Sequence, residues 1–331
     1  MSETALVVAI VIIALSFDYT NGFHDSANAI ATSVSTRALT PRIAVGMAAV
    51  ANVIGALVST KVARTVGGGI IDPPSGREGL IIVLSALLGA IVWNLSTWYL
   101  GLPSSSSQGL IGGLVGAALI GSNGVQWSGL VHKVIIPGVL SPLVGFGVGY
   151  LFMLSLLWLF KRANATKTQR GFRQGQILSA GTMAFGHGTQ DAQKTMGVIA
   201  LTLTVSGHLA PDAPIPFWVI FSAAAAISAG TYSGGWRIMR TLGRRIFSLS
   251  PVSGFASQSV ASGVLWSTAY LGLPISTTHV ISSSVMGVGA TRRLSAVRWG
   301  VAGNIVTAWF LTIPAAGAMA ALFWLVLHPL G

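Results

Sequence analysis

The sequence predicts an all-α polytopic membrane protein made of two inverted-topology repeats, with broken helices, re-entrant helical hairpins and about 10–12 membrane segments. Three observations lead to this fold class. Of the 331 residues, 52% are hydrophobic and only 8% are charged, whereas soluble domains carry about 25% charged residues. Long apolar stretches recur along the chain. Short polar motifs also appear twice, in the same order.

Several apolar stretches are long enough to cross a bilayer, because a hydrocarbon core of about 30 Å requires about 20 helical residues. The apolar stretches cover residues 5–17, 43–60, 79–95, 109–121, 134–160, 177–205, 215–232, 256–271 and 299–327. The first stretch lacks the basic leader and the small-residue cleavage site of a signal peptide. We therefore expect it to be a membrane helix and the lipid bilayer to be the protein's surroundings.

The formal net charge is +12, but the basic residues are grouped between apolar stretches. The groups are Lys161, Arg162, Lys167, Arg170 and Arg173; Arg237, Arg240, Arg244 and Arg245; and Arg292, Arg293 and Arg298. Such groups are typical of cytoplasmic loops that follow the positive-inside rule. We therefore expect no nucleic-acid partner. The chain has no cysteine, which excludes disulfides and thiolate metal sites.

The strongest repeated motif ends in a Gly-Leu-Pro sequence. STWYLGLP at 96–103 and STAYLGLP at 267–274 agree at seven of eight positions, at an offset of 171 residues. The next five residues, SSSSQ and ISTTH, are both rich in small hydroxyl side chains. A weaker pair is formed by GFHDSANA at 22–29 and GTQDAQKT at 188–195, at an offset of 166 residues. Each copy precedes the corresponding copy of the first motif.

These repeats predict two homologous halves. We expect an N-terminal half at 1–160, a basic cytoplasmic linker at 161–174 and a C-terminal half at 175–331. An odd number of crossings in each half would invert one half relative to the other. Repeated polar motifs inside the membrane are typical of alternating-access transporters.

Four charged residues lie within or beside apolar stretches: Asp18, Asp25, Asp191 and Lys194. A charge at the centre of a membrane helix costs about 2.5–3.5 kcal/mol, so such residues are candidates for function. The structural alternatives are that Asp18 caps or hydrogen-bonds a helix end, and that Asp191 and Lys194 neutralise each other at a spacing of three residues.

The motif after the first apolar stretch predicts a broken helix. One helix over 4–36 would be about 50 Å long, too long for the bilayer core, so we expect a break at Asn21-Gly22. Asp25 and Asn28 would share one helix face. Their oxygens and the freed backbone carbonyls would bind a small cation, or Asp25 would bind a proton. We interpret the motif as an ion-coupling site.

The hydroxyl-rich segments after the two prolines predict an oxyanion site. Pro103 and Pro274 suit the first turn of a helix, where a missing N–H costs nothing. Ser104–Ser107 and Ser276–Thr278 add hydroxyl donors to the unpaired N–H groups of that turn. The alternative, a polar loop outside the membrane, fits poorly with the repetition of the surrounding residues.

At these residues the chain resembles the inorganic phosphate transporter (PiT) family, the phosphate permeases. That family carries a duplicated G-x-N-D-x-A-N-A-like signature. NGFHDSANA at 21–29 looks like the bacterial version, and HGTQDAQKT at 187–195 looks like a divergent second copy. GLPSSSSQ at 101–108 and GLPISTTH at 272–279 are similar to the family's two hairpin-tip motifs. The resemblance covers nearly the whole chain.

The resemblance implies a symporter, not an enzyme, that forms a homodimer in the cytoplasmic membrane of a prokaryote and uses no cofactor. Inorganic phosphate would bind at Ser104, Ser105, Ser106, Ser107, Ser276, Thr277 and Thr278. The coupling ion, H⁺ or Na⁺, would bind beside Asp25, Asn28, Asp191, Gln190 and Lys194.

The chain departs from the family pattern at two positions. Gln190 replaces an expected Asn, and Lys194 stands where the first copy has Asn28. An ammonium group would occupy or repel a second cation, would attract phosphate, or would pair with Asp191. We therefore expect coupling to protons or to one cation rather than to two sodium ions.

Histidines flank the motifs at His24, His187 and His279. His187 and Asp191 are four residues apart and could bind a divalent metal, which would matter if the substrate were a metal–phosphate complex. An ordinary hydrogen-bonding role is the alternative for each histidine.

Three other functions fit the sequence less well than phosphate symport. The first is a permease of the same fold for sulfate or another tetrahedral oxyanion; sulfate cannot donate a hydrogen bond to Asp25 or Asp191, which favours phosphate. An intramembrane hydrolase would require a unique nucleophile with an adjacent base, whereas the serines and acids are duplicated. A channel would not require buried titratable pairs.

Overall fold

The computed structural model describes residues 2–122 and 124–330, and its regular secondary structure is helical. The described helices are α1 (Glu3–Ser35), α2 (Pro41–Ala56), α3 (Lys61–Gly68), α4 (Arg77–Leu100), α5 (Ser106–Gly121), α6 (Trp127–Gly129), α7 (Ile136–Leu159), α8 (Ala165–Val205), α9 (Phe217–Ser233), α10 (Trp236–Arg240), α11 (Pro251–Tyr270), α12 (Thr277–Ala290) and α13 (Trp299–Leu327). A π-helical segment joins α6 to α7, so that residues 127–159 form one long apolar helix.

The order of helices in the first part of the chain recurs in the second part. A long helix (α1, α8) is followed by a bent pair (α2–α3, α9–α10), a helix of 24 or 20 residues (α4, α11), a shorter helix (α5, α12) and a long final helix (α7, α13). This order supports the division into two halves, which stays a prediction, as does their inverted orientation.

The two sets of helices interlock. The short helix α5 packs against α13, and α12 packs against α7. The first long helix, α1, packs against α9, and α8 packs against α2 and α3. Each set is therefore buried partly by the other. The short helices α5 and α12 each pack against a helix of the opposite set.

The predicted break at Asn21-Gly22 is wrong, because α1 is one helix of 33 residues from Glu3 to Ser35. Gly22 instead permits close packing against α9: an added Cβ atom would lie 2.3 Å from the carbonyl oxygen of Ile227. The breaks occur in the bent pairs, with angles of 73° between α2 and α3 and 57° between α9 and the helix that follows it.

Fewer helices satisfy the usual criteria for a membrane span than the predicted 10–12 segments. By length and composition, four described helices qualify, or six if each bent pair is one span. The helices α8 and α11 carry many polar residues, and α5 and α12 have only 16 and 14 residues. The all-α, multi-pass membrane architecture itself is as predicted.

The predicted basic linker, 161–174, is mostly helical. The helix α8 begins at Ala165 and continues for 41 residues, so its exposed first turns carry Lys167, Arg170 and Arg173. The side chain of Asn164 caps this helix by accepting from the N–H of Lys167, at 3.1 Å.

The two Gly-Leu-Pro motifs adopt the same conformation. Gly101 and Gly272 have φ angles of 66° and 71°, in the left-handed region that glycine enters without a steric penalty. The N–H groups of Leu102 and Leu273 donate to carbonyls five residues earlier, both at 2.9 Å. These turns reverse the chain so that α5 and α12 begin inside the protein.

We expect Gly22→Ala to destabilise the protein by about 1–3 kcal/mol, because the added methyl group must displace the backbone of α9. Thermal unfolding of the purified protein in detergent measures this change. Gly46→Ala is the matched control, since nothing lies within 4 Å of its added Cβ atom, and alanine is the better helix former by about 1 kcal/mol. Equal stability of the two variants would contradict the packing role of Gly22.

Candidate functional site

The first signature motif contacts the tip of α12. The side-chain amide nitrogen of Asn28 donates to the hydroxyls of Thr277 and Thr278, at 3.2 and 2.9 Å. The Thr278 hydroxyl donates to the Asp25 carboxylate at 3.3 Å. Asn28 Oδ1 is buried without a hydrogen-bond partner among the described residues. The spacing of three residues therefore does direct Asp25 and Asn28 to one face of α1.

The second signature motif contacts both tips. The ammonium of Lys194 donates to the Asp191 carboxylate, to the Ser107 hydroxyl on α5, and to the carbonyl oxygen of Ile275 at 2.9 Å. The Thr277 hydroxyl donates to the other oxygen of Asp191, at 3.2 Å. Lys194 is only 1% exposed, so this ion pair lies inside the protein.

The tip of α5 also lies beside the first motif through His24. One imidazole nitrogen of His24, Nδ1, is 2.7 Å from the Asp25 carboxylate and 3.5 Å from the Ser106 hydroxyl. The other nitrogen, Nε2, is 3.4 Å from the hydroxyl of Ser104 and 3.2 Å from that of Thr97. Each hairpin tip therefore contacts residues from both signature motifs.

The remaining hydroxyls of the tips cap the two short helices. Ser105 accepts from the N–H of Gln108 at 3.1 Å, and Ser276 accepts from the N–H of His279 at 3.2 Å. Both helices thus begin beside the two aspartates, inside the protein. The partial positive charge of a helix N-terminus favours an anion there. The predicted tip residues from Ser104 to Ser107 and from Ser276 to Thr278 are all buried.

Gln190 lies apart from the contacts of the other predicted site residues. Its side-chain nitrogen donates to the Thr268 hydroxyl at 2.9 Å and to the carbonyl oxygens of Leu265 and Leu273, both at 3.3 Å. These contacts connect α8 to α11 and to the turn before α12. The geometry gives Gln190 a supporting position behind the tip.

The carboxylates of Asp25 and Asp191 come close to each other and to His187. One ligand atom from each of the three residues lies within 4.8 Å of the others. His187 Nε2 is 3.0 Å from Asp191, and its Nδ1 is 3.1 Å from the Asn52 side-chain oxygen. Two carboxylates and an imidazole are suitable ligands for a divalent cation, although Lys194 competes for Asp191.

Sequence reasoning missed several polar residues around the site. Asn52 orients His187 and also donates to Thr231 at 2.8 Å. Gln193 accepts from the N–H groups of Val62 and Ala63, at 2.8 and 3.3 Å, and so satisfies the start of α3 after the bend. Amide side chains within apolar helices were the available signal for both residues.

One further pair of polar residues occupies equivalent positions in the two hairpins. Gln108 and His279 each follow a hydroxyl run, and the Gln108 side-chain oxygen and His279 Nε2 are buried without a hydrogen-bond partner among the described residues. The His279 ring stacks on Trp309, with ring centroids 4.1 Å apart. Unpartnered buried polar atoms are uncommon in native proteins, so their occurrence at both tips indicates groups that a ligand would satisfy.

A comparison with protein families gives a match over residues 21–320, to the model described as the phosphate transporter family. The chain belongs to the phosphate transporter family. This assignment agrees with the resemblance found at the four motifs. It also agrees with the prediction of a transporter rather than an enzyme, because the family is a family of transporters.

Curated members of the phosphate transporter family are similar over nearly the whole chain. A protein of Rhizobium meliloti is 48% identical over 96% of this chain and 95% of its own length. A protein of Bacillus subtilis is 43% identical over 98% of this chain and 97% of its own length. Both are named "Probable low-affinity inorganic phosphate transporter".

A solved structure also matches the fold. It is described as "The sodium-dependent phosphate transporter", with a TM-score of 0.89, 26% identity, and coverage of 98% of this chain and 99% of the other. The two proteins therefore share this arrangement of helices, although their sequences differ at most positions.

We expect replacement of Lys194 by Met to destabilise the protein by about 3–5 kcal/mol, because Asp191 would lose its charge partner inside the protein. The double variant Asp191→Asn, Lys194→Met should be more stable than the sum of the two single effects predicts. Thermal unfolding in detergent measures the cycle. Lys167→Met, at an exposed position of the same helix, is the control; strictly additive effects would show that the pair does not interact.

Proposed function

We propose that this chain is a secondary active symporter that imports inorganic phosphate by alternating access, coupled to protons or to one cation. One observation carries the proposal: the hydroxyl-lined tips of α5 and α12 meet the aspartates of both signature motifs and Lys194 in one buried cluster. Helix N-termini, hydroxyl donors and an ammonium group are what an oxyanion requires.

The charges of the cluster support symport. Asp25 and Asp191 provide two carboxylates, and Lys194 provides one ammonium group. Phosphate would add one or two negative charges to a site that excludes water, where unbalanced charge is costly. A proton or metal cation that binds together with phosphate removes this cost, and this requirement couples the two fluxes.

The position of Lys194 supports coupling to protons or to one cation rather than to two cations. Its ammonium group contacts a carboxylate, a hydroxyl and a backbone carbonyl, which are the oxygen ligands that a small cation would use. A permanently attached positive charge at this position competes with a second ion. The structurally similar transporter is described as sodium-dependent, so sodium is a candidate for the single cation, beside the proton.

A divalent metal–phosphate complex is a second candidate form of the substrate. The proximity of Asp25, His187 and Asp191, within 4.8 Å, favours it, because these residues would bind the metal while the tips bind phosphate. An uptake assay distinguishes the two forms of the substrate, because only the complex requires the metal to enter with phosphate.

Phosphate is favoured over sulfate by the acids of the cluster. Hydrogen phosphate can donate a hydrogen bond to Asp25 or Asp191, whereas sulfate only accepts. A carboxylate that faces a bound anion without a donor between them would repel it, so the site discriminates against sulfate. The bacterial relatives support a bacterial cytoplasmic membrane as the location; the homodimer stays a prediction.

A cavity of about 570 Å³ lies beside α3, the last turns of α8 and the start of the 127–159 helix. Its lining includes the basic residues Arg64 and Lys133 and the acidic residues Asp72 and Asp212, so its charges balance. The opposite end of that helix adjoins the basic segment that begins at Lys161. By the positive-inside rule, we infer that the cavity faces the exterior.

We expect the purified protein in liposomes to accumulate radiolabelled phosphate when a sodium or proton gradient is imposed. Arsenate should compete and sulfate should not. Ser107→Ala and Thr278→Val should each raise the apparent KM for phosphate about tenfold, because each removes a hydrogen bond to a charged group. Ser155→Ala, at an exposed position, should leave KM unchanged. Uptake of sulfate in preference to phosphate would overturn the substrate assignment.

We expect Lys194→Asn to increase the dependence of phosphate uptake on external sodium, because the change restores the residue type found at the equivalent position of the first motif. The measurement is the initial uptake rate against sodium concentration at fixed pH and fixed phosphate concentration. Lys167→Asn, an exposed change on the same helix, is the control. An unchanged sodium dependence in an active Lys194→Asn protein would argue against the ammonium group as a substitute for a cation.

A further inference from the structure

Asp18 is a buried acid that the phosphate site does not use. Its side chain is 0% exposed, and neither carboxylate oxygen makes a hydrogen bond to a described residue. The expectation that Asp18 caps a helix end is wrong, since the residue lies in the interior of α1. A carboxylate that is removed from water is costly, so the group at this position takes up a proton or binds a cation.

Two polar side chains lie beside this carboxylate. The Thr195 hydroxyl and the Asn21 side-chain amide adjoin Asp18, and Thr195 Oγ1 and Asn21 Oδ1 are themselves buried without hydrogen-bond partners among the described residues. Asp18 and Asn21 are three residues apart and share one face of α1. Thr195 comes from α8, which packs against α1. The Asp18 carboxylate and the Thr195 hydroxyl, from two helices, therefore form one unsatisfied group beside the Asn21 amide.

The group is separate from the phosphate site but aligned with it. Asp18 precedes Asp25 by seven residues, which is two helical turns or about 10 Å along the same face. Thr195 directly follows Lys194 in the sequence. The charged groups that act on Asp18 are Asp191 and Lys194. A charge bound at Asp18 would thus be felt by the ion pair that holds both hairpin tips.

The other helices packed against α1 also carry titratable residues. They are Arg42 on α2, Arg77, Glu78 and Tyr99 on α4, Tyr232 on α9, Arg237 and Arg240 on α10, Arg245 in the π-helical segment Thr241–Arg245, Tyr270 on α11, and His279 on α12. Asp191 and Lys194 are nevertheless the charged groups that act on Asp18.

We propose that Asp18, Asn21 and Thr195 form the binding site of the coupling cation, separate from the site at the hairpin tips where phosphate binds. Either a proton or a sodium ion would neutralise the Asp18 carboxylate. Asn21 and Thr195 would help to coordinate the sodium ion. The inference rests on the proposed symport of phosphate. It adds that coupling acts over about two helical turns, through the Asp191–Lys194 pair.

The test separates coupling from phosphate binding. Proteoliposomes with the wild type or Asp18→Asn are assayed for phosphate exchange without any ion gradient, and for uphill accumulation driven by a sodium gradient or by a pH gradient. We expect Asp18→Asn to lose gradient-driven accumulation by about tenfold or more, while exchange stays near the wild-type rate. The gradient whose effect disappears identifies the ion. Glu3→Gln, an exposed acid on the same helix, is the control and should retain both activities.

A second variant guards against a folding defect. Thr195→Val keeps the shape of the side chain and removes one oxygen, so it should raise the half-saturating concentration of the coupling ion about tenfold, with the apparent KM for phosphate at saturating ion unchanged. Binding of the ion is followed by its stabilisation of the purified protein against heat, which Asp18→Asn should abolish.

Unchanged gradient-driven accumulation in Asp18→Asn would overturn the inference. Loss of exchange together with accumulation, in a protein that still binds phosphate, would also overturn it, because the site would not be separate. Absence of any phosphate exchange in the wild type is a different result: it would refute the proposed function itself.

Discussion

The arrangement of the polar interior depends on the buried ammonium group of Lys194. A charge this far from water must be compensated by a partner and by hydrogen bonds. The compensation comes from three places: Asp191 on the same helix, Ser107 at the start of α5, and the carbonyl of Ile275 just before α12. One side chain therefore fixes the positions of both hairpin tips relative to α8.

The interlocking of the helices explains why the tips meet at all. The helix α5 is held by α13, and α12 is held by α7, so each hairpin is supported by the final helix of the other set of helices. The close contact between Gly22 on α1 and Gly230 on α9 brings the first signature motif against the second set in the same way. Two hairpins supported from opposite sides end face to face, with the signature motifs between them.

Some buried polar atoms make hydrogen bonds within the protein, and others have no hydrogen-bond partner among the described residues. The Gln193 side-chain oxygen and the Gln190 side-chain nitrogen make hydrogen bonds to backbone groups at a bend and a turn, whereas the Gln190 side-chain oxygen has no partner among the described residues. Asn28 Oδ1, Gln108 Oε1 and the Asp18 carboxylate have no partner among the described residues. Evolution rarely keeps such groups in a folded interior without a ligand or function to compensate them. Asn28 and Asp18 lie in the sites that we assign to phosphate and to its coupling ion.

The sequence by itself determined the class of protein and most of the site's residues. Composition and apolar stretches indicate membrane helices because lipid excludes charge. The repeated Gly-Leu-Pro motifs prove to share one backbone conformation. The motifs themselves identify Asp25, Asn28, Asp191 and the hydroxyl tips as candidate site residues. Polar residues are costly inside a membrane, so their presence there indicates a function.

Only the tertiary structure decided which of these residues contact each other. It made α1 continuous, because packing against α9 uses Gly22 for close approach and leaves no need for a break. It turned Gln190 toward α11, and it left Asp18 without a hydrogen-bond partner. The physical reason is that periodicity within one helix specifies a face but not the neighbour that the face meets. That neighbour is chosen by helices that are distant in the sequence.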